Sequence, residues 1–304
     1  MKVSLITTVL NEKDTIDEFM KSVISQAKKP DEFIIVDGGS TDGTYEILKK
    51  YSKRYKWIKV FQENGASIGR GRNIAIEKSK NEIIACTDAG CILDKNWLKK
   101  ITRPFKKKDV DVVVGIYKPY YTNDFEYFQG LLVVPPPEKI FMNPSRMSSR
   151  SIAFKKECWK NVGEYPNLIT GEDTQFNIKL IEHGYKFYFA KDAIVYWRMR
   201  KNLKEFFKQF YRYGVGDRKS KNIFKMKKNL LFVAGFWFYV FLLLSSFFVS
   251  LNLFVLLLVL PFLYFFTDGL KLAIRSRKTS GIFYGLLIAV TKRVAYVLGV
   301  SFRK

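Results

Sequence analysis

The 304-residue sequence predicts an α/β fold, with a mainly parallel sheet covered by helices and then a membrane-associated helical region. Strand-like apolar runs alternate with amphipathic helical stretches from residue 3 onward, and residues 230–249 are apolar without a single charge. Alternation of this kind builds βαβ units, whose parallel strands are buried on both faces.

Residues 3–9 read as the first strand. Asp14 is placed to cap a helix that carries Ile16, Phe19, Met20, Val23 and Ile24 on one face. Residues 33–36 form the second strand and 42–50 the helix after it. Further strands cover 57–61, 82–87 and 110–116, with helices over 72–78 and 96–105 between them. Ligands of such sheets sit beyond the carboxyl ends of the strands, where both Asp37 and Asp88 fall. The run Val134-Pro135-Pro136-Pro137-Glu138-Lys139 is excluded from a central strand and is expected as a mobile loop.

Composition narrows the chemistry. A hydrophobic share of 48% is enough for a proper core. Cys86, Cys91 and Cys158 are odd in number and lack CxxC spacing, so neither a disulfide framework nor a zinc knuckle is expected, and a reducing environment fits. His183, the one histidine, is expected at the surface or a helix end. One histidine excludes a His-rich metal site, argues against a Ser-His-Asp triad and leaves general-base work to a carboxylate. The formal charge of +24, with Lys and Arg crowded over 198–208 and 218–228, suits nucleic acid, an anionic membrane or a phosphate-bearing substrate.

The C-terminal region selects the membrane among these. Residues 230–249 approach the roughly 20 residues that cross a bilayer, and 251–270 span it if Asp268 reaches the interface. The two read as a helical hairpin. Lys225, Lys227 and Lys228 precede it and Lys271, Arg275, Arg277 and Lys278 follow it, so both ends are expected in the cytoplasm. Residues 281–300 carry Lys292 and Arg293 in their middle, where a charge at the bilayer centre costs about 2.5–3.5 kcal/mol. An amphipathic interfacial helix is therefore expected there instead of a third span. No signal peptide is expected, because the first strand leads directly into Asn11-Glu12-Lys13-Asp14. The expected division is a catalytic domain over 1–220 and a membrane region over 221–304.

The stretch Asp37-Gly38-Gly39-Ser40-Thr41-Asp42-Gly43-Thr44 holds more acceptors than a tight turn requires. Its glycines let the chain approach a ligand, while Asp37, Ser40 and Asp42 suit a base imide, ribose hydroxyls or a local helix cap. Gly69-Arg70-Gly71-Arg72 does not meet the GxGxxG spacing and is expected as a phosphate-contacting or flexible loop. Asp88-Ala89-Gly90 closes a strand. Thr170-Gly171-Glu172-Asp173 opens a helical stretch, where acidic residues stabilise the helix start by about 0.3–1 kcal/mol. Gln209, Arg212 and Tyr213 share one helical face.

In this order the motifs resemble those of family 2 glycosyltransferases, whose catalytic domain has the GT-A fold. The resemblance implies that Thr8, Asn11, Glu12, Asp37, Ser40 and Asp42 line a nucleotide pocket. Arg72-Asn73 matches the family's Arg-Asn step, implying that Arg72 grips the nucleotide. Asp88 matches the first aspartate of its DxD motif, with Ala89 beside it, a motif that binds the ribose and a divalent metal. Gly90 stands where the second carboxylate would be, so Mg²⁺ or Mn²⁺ would rest on Asp88, the donor phosphates and water; Asp94 is the other carboxylate considered, and Cys91 is a poor ligand for such ions. Glu172-Asp173 resembles the family's Glu-Asp motif, which makes Asp173 the catalytic base and Glu172 its positioner or the acceptor's. Residues 147–167 resemble the strand and loop that close over the donor sugar, with Trp159 serving the sugar or the core. Gln209, Arg212 and Tyr213 resemble a QxxRW motif with Tyr for Trp, in which Arg212 steadies the leaving diphosphate; a basic interfacial helix explains the same residues.

The expected function is thus an inverting glycosyltransferase at the cytoplasmic face of the cell membrane, moving a sugar from a nucleotide-sugar donor to a lipid-linked or glycan acceptor. Nucleic acid is not an expected partner. The alternatives are a polyprenyl-phosphate glycosyl synthase and a non-catalytic, basic, membrane-tethered binding protein.

Overall fold

A computed structural model describes residues 1–107, 109–143, 146–220 and 227–302; Lys225, expected to flank the hairpin, lies outside them. The chain forms two compact units, Met1–Tyr120 with Pro135–Arg198, and Tyr121–Val134 with Met199–Lys304.

The first unit is built on an eight-stranded sheet of order β3-β2-β1-β4-β7-β6-β8-β5. Its first half comprises β1 (Val3–Val9), α1 (Ile16–Ile24), β2 (Glu32–Asp37), α2 (Thr44–Arg54), β3 (Ile58–Gln62), α3 (Ile68–Glu77) and β4 (Ile83–Cys86). These four strands pair in parallel, with Val9 opposite Asp37 and Ile6 opposite Cys86, so both strand ends open on one edge. Then follow β5 (Cys91–Leu93), α4 (Trp97–Thr102) and β6 (Val112–Tyr120). The chain leaves through α5 (Asp124–Val133) and returns with α6 (Pro137–Phe141), β7 (Ile152–Lys155), α7 (Lys156–Asn161), α8 (Glu172–Glu182) and β8 (Phe187–Arg198). β7 lies between β4 and β6 and runs against both, whereas β6 and β8 are parallel. The mixed half of the sheet therefore begins at β7.

Several boundaries depart from the sequence expectation for local reasons. Asp14 does not cap α1: Thr15 takes that place, its hydroxyl donating to Glu12 Oε2 at 2.6 Å. α2 begins at Thr44 because Gly43 before it adopts φ +98°, while Asp42 Oδ1 accepts from the Thr44 amide. Gly69-Arg70-Gly71-Arg72 is no loop but the first turns of α3, capped by Ser67 Oγ accepting from the Arg70 amide. A Cβ at position 71 would stand 2.6 Å from Thr8 Cγ2, so glycine there lets α3 lie against β1. Pro137 opens α6, whose Ile140 is buried, in place of the expected mobile loop. Cys86, Cys91 and Cys158 are free and buried, and His183 is an exposed residue at the end of α8.

The second unit holds α5, α9 (Leu203–Lys219), α10 (Lys227–Val249), α11 (Leu251–Ser276) and α12 (Gly281–Ser301). The last three have 23, 26 and 21 residues and mean hydropathy of 2.2, 2.1 and 1.5 in their most apolar windows, long and apolar enough to cross a membrane. The chain turns at Ser250, where the expected hairpin turns, but α11 continues to Ser276. Arg293 of α12 pairs with Asp268 of α11 at 2.9 Å, and the Lys292 ammonium lies 5.3 Å from the Phe210 ring centre. Phe206 and Phe210 of α9 form one cluster with Phe128 of α5, Leu272 of α11, and Ile288 and Ala295 of α12. This packing joins α9 to the C-terminal helices, in the compact unit that resumes at Met199.

Candidate active site

The carboxyl edge of β1 and β2 places a first group of the expected site residues together. Asp37 ends β2 fully buried, and its Oδ1 accepts from the amides of Gly39 and Ser40 at 2.9 and 2.8 Å and from Gln62 Nε2 at 3.1 Å. Its Oδ2 is buried with no hydrogen-bond partner. A buried carboxylate oxygen left so is costly unless a ligand supplies a donor. The rest of the loop secures its neighbour: Ser40 Oγ accepts from the Asn11 amide at 2.8 Å, Asn11 Oδ1 from the Thr41 amide at 2.9 Å, Asp42 Oδ2 from the Lys13 amide at 3.0 Å, and Thr44 Oγ1 from the Glu12 amide at 2.9 Å. Asn11 needs this bracing because its φ is +55°. Burial pulls Asp42 upward, but the hydrogen bonds from Thr44 and the Lys13 amide hold its carboxyl below the usual range. Ser40 and Asp42 thus act first as ties between two loops.

A second group gathers around Arg72, which is 2% exposed. One terminal nitrogen donates to Asp88 Oδ1 at 2.7 Å, the other to Glu172 Oε1, and the guanidinium lies 5.4 Å from the Tyr165 ring centre. Three motifs far apart in sequence therefore meet at one buried cation. Asn73 does the corresponding work for the backbone: its Nδ2 donates to Tyr165 O at 2.8 Å, and its Oδ1 accepts from the Tyr165 amide and Trp159 Nε1, both at 3.0 Å. Trp159, 6% exposed, belongs to the core. Glu172 and Asp173 occupy the first turn of α8 behind Gly171, which has φ +78°. Asp173 is half-buried, accepting from the Thr174 amide at 2.8 Å and from Ser148 Oγ at 3.1 Å.

Ser148 and Arg150 lie in the 147–167 stretch expected over the donor sugar, where the sequence marks neither residue beyond a cation shortly before a buried strand. Arg150 donates to Ser148 Oγ at 2.8 Å, its Nε stands 3.6 Å from Asp88 Oδ2, and its guanidinium lies 4.1 Å from the Trp197 ring centre. Burial pushes Asp88 up, but Arg72 and then Arg150 outweigh it and hold the carboxyl below the usual range. Glu172 goes the other way, raised to about 7 by burial first and Asp173 next, against the pull of an Arg72 whose one charge is shared with Asp88.

Asp88 is 28% exposed, with Ala89 buried behind it. Glu12 reaches the same turn, its Oε1 lying 3.9 Å from where a Gly90 Cβ would stand. Among the described residues no three His, Cys, Asp or Glu side chains gather as a metal-binding group. Asp88, paired with Arg72 and facing Arg150, offers a divalent ion one carboxylate, so an ion there would need most of its oxygen ligands from phosphates and water. Asp94 does not complete it: its Oδ1 caps the Asn96 amide at 3.0 Å and faces Lys100. Arg212 is exposed on α9 in the other unit, where Gln209 and Tyr213 bond each other at 2.9 Å and Gln209 also accepts from Arg200. Its assignment to the diphosphate rests on the motif resemblance alone.

Comparisons with known proteins identify the family and the fold. Residues 4–162 match Glycosyl transferase family 2, and residues 138–268 match Glycosyl transferase family group 2. The chain is 28% identical over 248 residues to Glycosyltransferase AglE of Haloferax volcanii, covering 77% of this chain and 79% of that one. It is 24% identical over 293 residues to the dolichyl N-acetyl-alpha-D-glucosaminyl phosphate 3-beta-D-2,3-diacetamido-2,3-dideoxy-beta-D-glucuronosyltransferase of Methanococcus voltae, covering 91% and 89%. Other relatives are matched over less of their length, such as 34% of a cholesterol galactosyltransferase of Borreliella burgdorferi. Among solved structures, mannosyltransferase PcManGT from Pyrobaculum calidifontis, in complex with GDP-Man and Mn²⁺, superposes with a TM-score of 0.62 at 18% identity over 96% of this chain and 86% of that one. TarS of S. aureus gives 0.53 at 21% identity over 71% of this chain and 39% of its own. With one buried arginine holding together the carboxylates of two separate motifs on a GT-A sheet, and the family match spanning more than half of its residues, the chain belongs to glycosyl transferase family 2 and is a glycosyltransferase.

Proposed function

We propose that the protein is a membrane-anchored, inverting glycosyltransferase that moves a sugar from a nucleotide-sugar donor to a lipid-linked or glycan acceptor at the cytoplasmic face of the membrane. The observation that carries this reading is the Arg72 bridge, which fixes Asp88 of the donor side and Glu172, next to Asp173, in one rigid group. Asp173 is the base: it takes the proton of the acceptor hydroxyl while that oxygen attacks the anomeric carbon from the face opposite the leaving diphosphate, and the diphosphate departs with the bonding pair. Glu172, held by Arg72, positions Asp173. The partnerless Oδ2 of Asp37 fits the ring N–H of a base such as uracil, thymine or guanine. Asp88 would hold a divalent ion arriving with the donor, which supplies positive charge to the departing diphosphate.

The membrane reading follows the three apolar helices. α12 lies along α9, whose outer face exposes Lys204, Lys208 and Arg212. A helix packed on so polar a partner suits the interface better than the bilayer centre, which supports an interfacial α12 beside a spanning α10–α11 hairpin. The lipid-linked acceptor is favoured by that placement.

The test is donor hydrolysis and transfer by detergent-solubilised protein over a panel of nucleotide sugars, with added lipid-phosphate acceptors, beside Asp173→Asn. One donor class should turn over, and the variant should lose roughly 10²–10⁴-fold in kcat with donor binding retained. An Asp173→Asn protein of undiminished activity would remove Asp173 from the role of base.

A further inference from the structure

We propose that Arg150, set beside Asp88, is a binding residue for the donor's diphosphate. The inference rests on the nucleotide-donor reading above and extends it to a residue of the 147–167 stretch to which the motif resemblance gives no role of its own. Asp88 is flanked by two guanidiniums, Arg72 at 2.7 Å and Arg150 at 3.6 Å. They are differently placed. Arg72 is 2% exposed and holds a carboxylate on each terminal nitrogen, so it works from within the protein. The Arg150 side chain keeps 19% of its surface exposed. Its plane rests near the Trp197 ring at 4.1 Å, with Tyr117 at 5.7 Å, a shelf that orients the guanidinium and excludes water from one face. A planar fork of donors held in this way suits a phosphate oxygen pair.

Charge balance points the same way. Asp88 and Asp173, with Glu172 where it is ionised, bring two to three negative charges to this group against the two cations Arg72 and Arg150, so a diphosphate approaching Asp88 meets no net positive charge and is drawn by the cation that faces it. Arg150 also donates to Ser148, which donates to Asp173, so the phosphate contact and the base share one chain of hydrogen bonds.

Binding of UDP, dTDP and GDP, and of uridine, thymidine and guanosine, is measured by calorimetry on the full chain in EDTA and again with Mn²⁺, for wild type, Arg150→Gln and Arg150→Lys. Arg150→Gln should weaken the matching diphosphate by roughly ten- to a hundredfold and leave its nucleoside unchanged, because only the phosphate contact is lost. Arg150→Lys should fall between. Diphosphate affinity unchanged in Arg150→Gln overturns the proposal. Equal loss of diphosphate and nucleoside overturns it as well, since that is the signature of a structural role. A wild type that binds none of the six probes, with or without Mn²⁺, overturns the donor reading itself.

Discussion

Arg72 shares one positive charge between Asp88 and Glu172, and the two carboxylates respond in opposite directions. Asp88 has a second cation in Arg150 and stays below the usual carboxylate range, whereas Glu172 has Asp173 for a neighbour and is raised from 4.5 to about 7. A raised carboxyl keeps its proton in the folded chain at a pH where the unfolded chain releases it. The contribution to stability is then full below about 4.5 and is lost as pH rises through about 7. Thermal unfolding in detergent should show the wild type losing stability across that window, and Glu172→Gln, which keeps an acceptor for Arg72, should flatten the slope; an unchanged slope would mean that Glu172 is ionised throughout. The types of these residues were legible in the sequence as short acidic motifs at a strand end and a helix start. Their joint dependence on Arg72 was not, because 16 residues separate Arg72 from Asp88 and 100 separate it from Glu172, and no local pattern encodes that closure. Ser40 and Asp42 show the converse: residues that read as ligand acceptors or a local helix cap accept from the amides of Asn11 and Lys13, since a side-chain oxygen serves an amide as readily as a hydroxyl.

At the scale of elements, α3 is the piece on which the site is hung. It carries Arg72 and Asn73, and its approach to the 166–168 turn is set by Gly69, where an added Cβ would lie 3.0 Å from the Pro166 carbonyl carbon. Backbone cannot move aside as a side-chain tip can. Gly69→Ala should therefore cost about 1–3 kcal/mol of stability and lower activity together with it, as read from the melting temperature and donor turnover; a variant as stable as wild type would show that the turn yields freely. The sequence presented this stretch as two glycines and two arginines, which resembles a loop by composition. Only the Ser67 cap and the packing of glycine against Thr8 and Pro166 make it helical. The strands read from apolar runs lie close to the observed ones, whereas β5 and β8 are not among them, and a helix start depends on one cap such as Gly43 or Thr15. The sense of β7 was hidden for a related reason: a short apolar run pairs equally well in either direction until its neighbours are fixed.

The molecule as a whole joins an α/β catalytic unit to helices that are apolar enough for a membrane, and their arrangement in a bilayer is open to direct test. If α10 and α11 form a hairpin, single cysteines at positions 228 and 278 should react with an impermeant maleimide from the same side of sealed vesicles, and one at position 250 from the other. Labelling of 228 and 278 from opposite sides would replace the hairpin with an odd number of spans. The hydropathy pattern made these helices legible from the sequence alone, but not that α9 and α5 pack with them, since that depends on which apolar faces meet. The native thiols bear on how readily such experiments are done. Cys86, Cys91 and Cys158 are all buried and free, and burial pushes Cys86 and Cys158 up to about 12 and Cys91 higher still, so scarcely any thiolate is present at neutral pH. The wild-type chain thus serves as its own silent background: an introduced cysteine is the one a fluorophore or spin label finds, and distances across the working enzyme can be followed without first stripping it of sulfur.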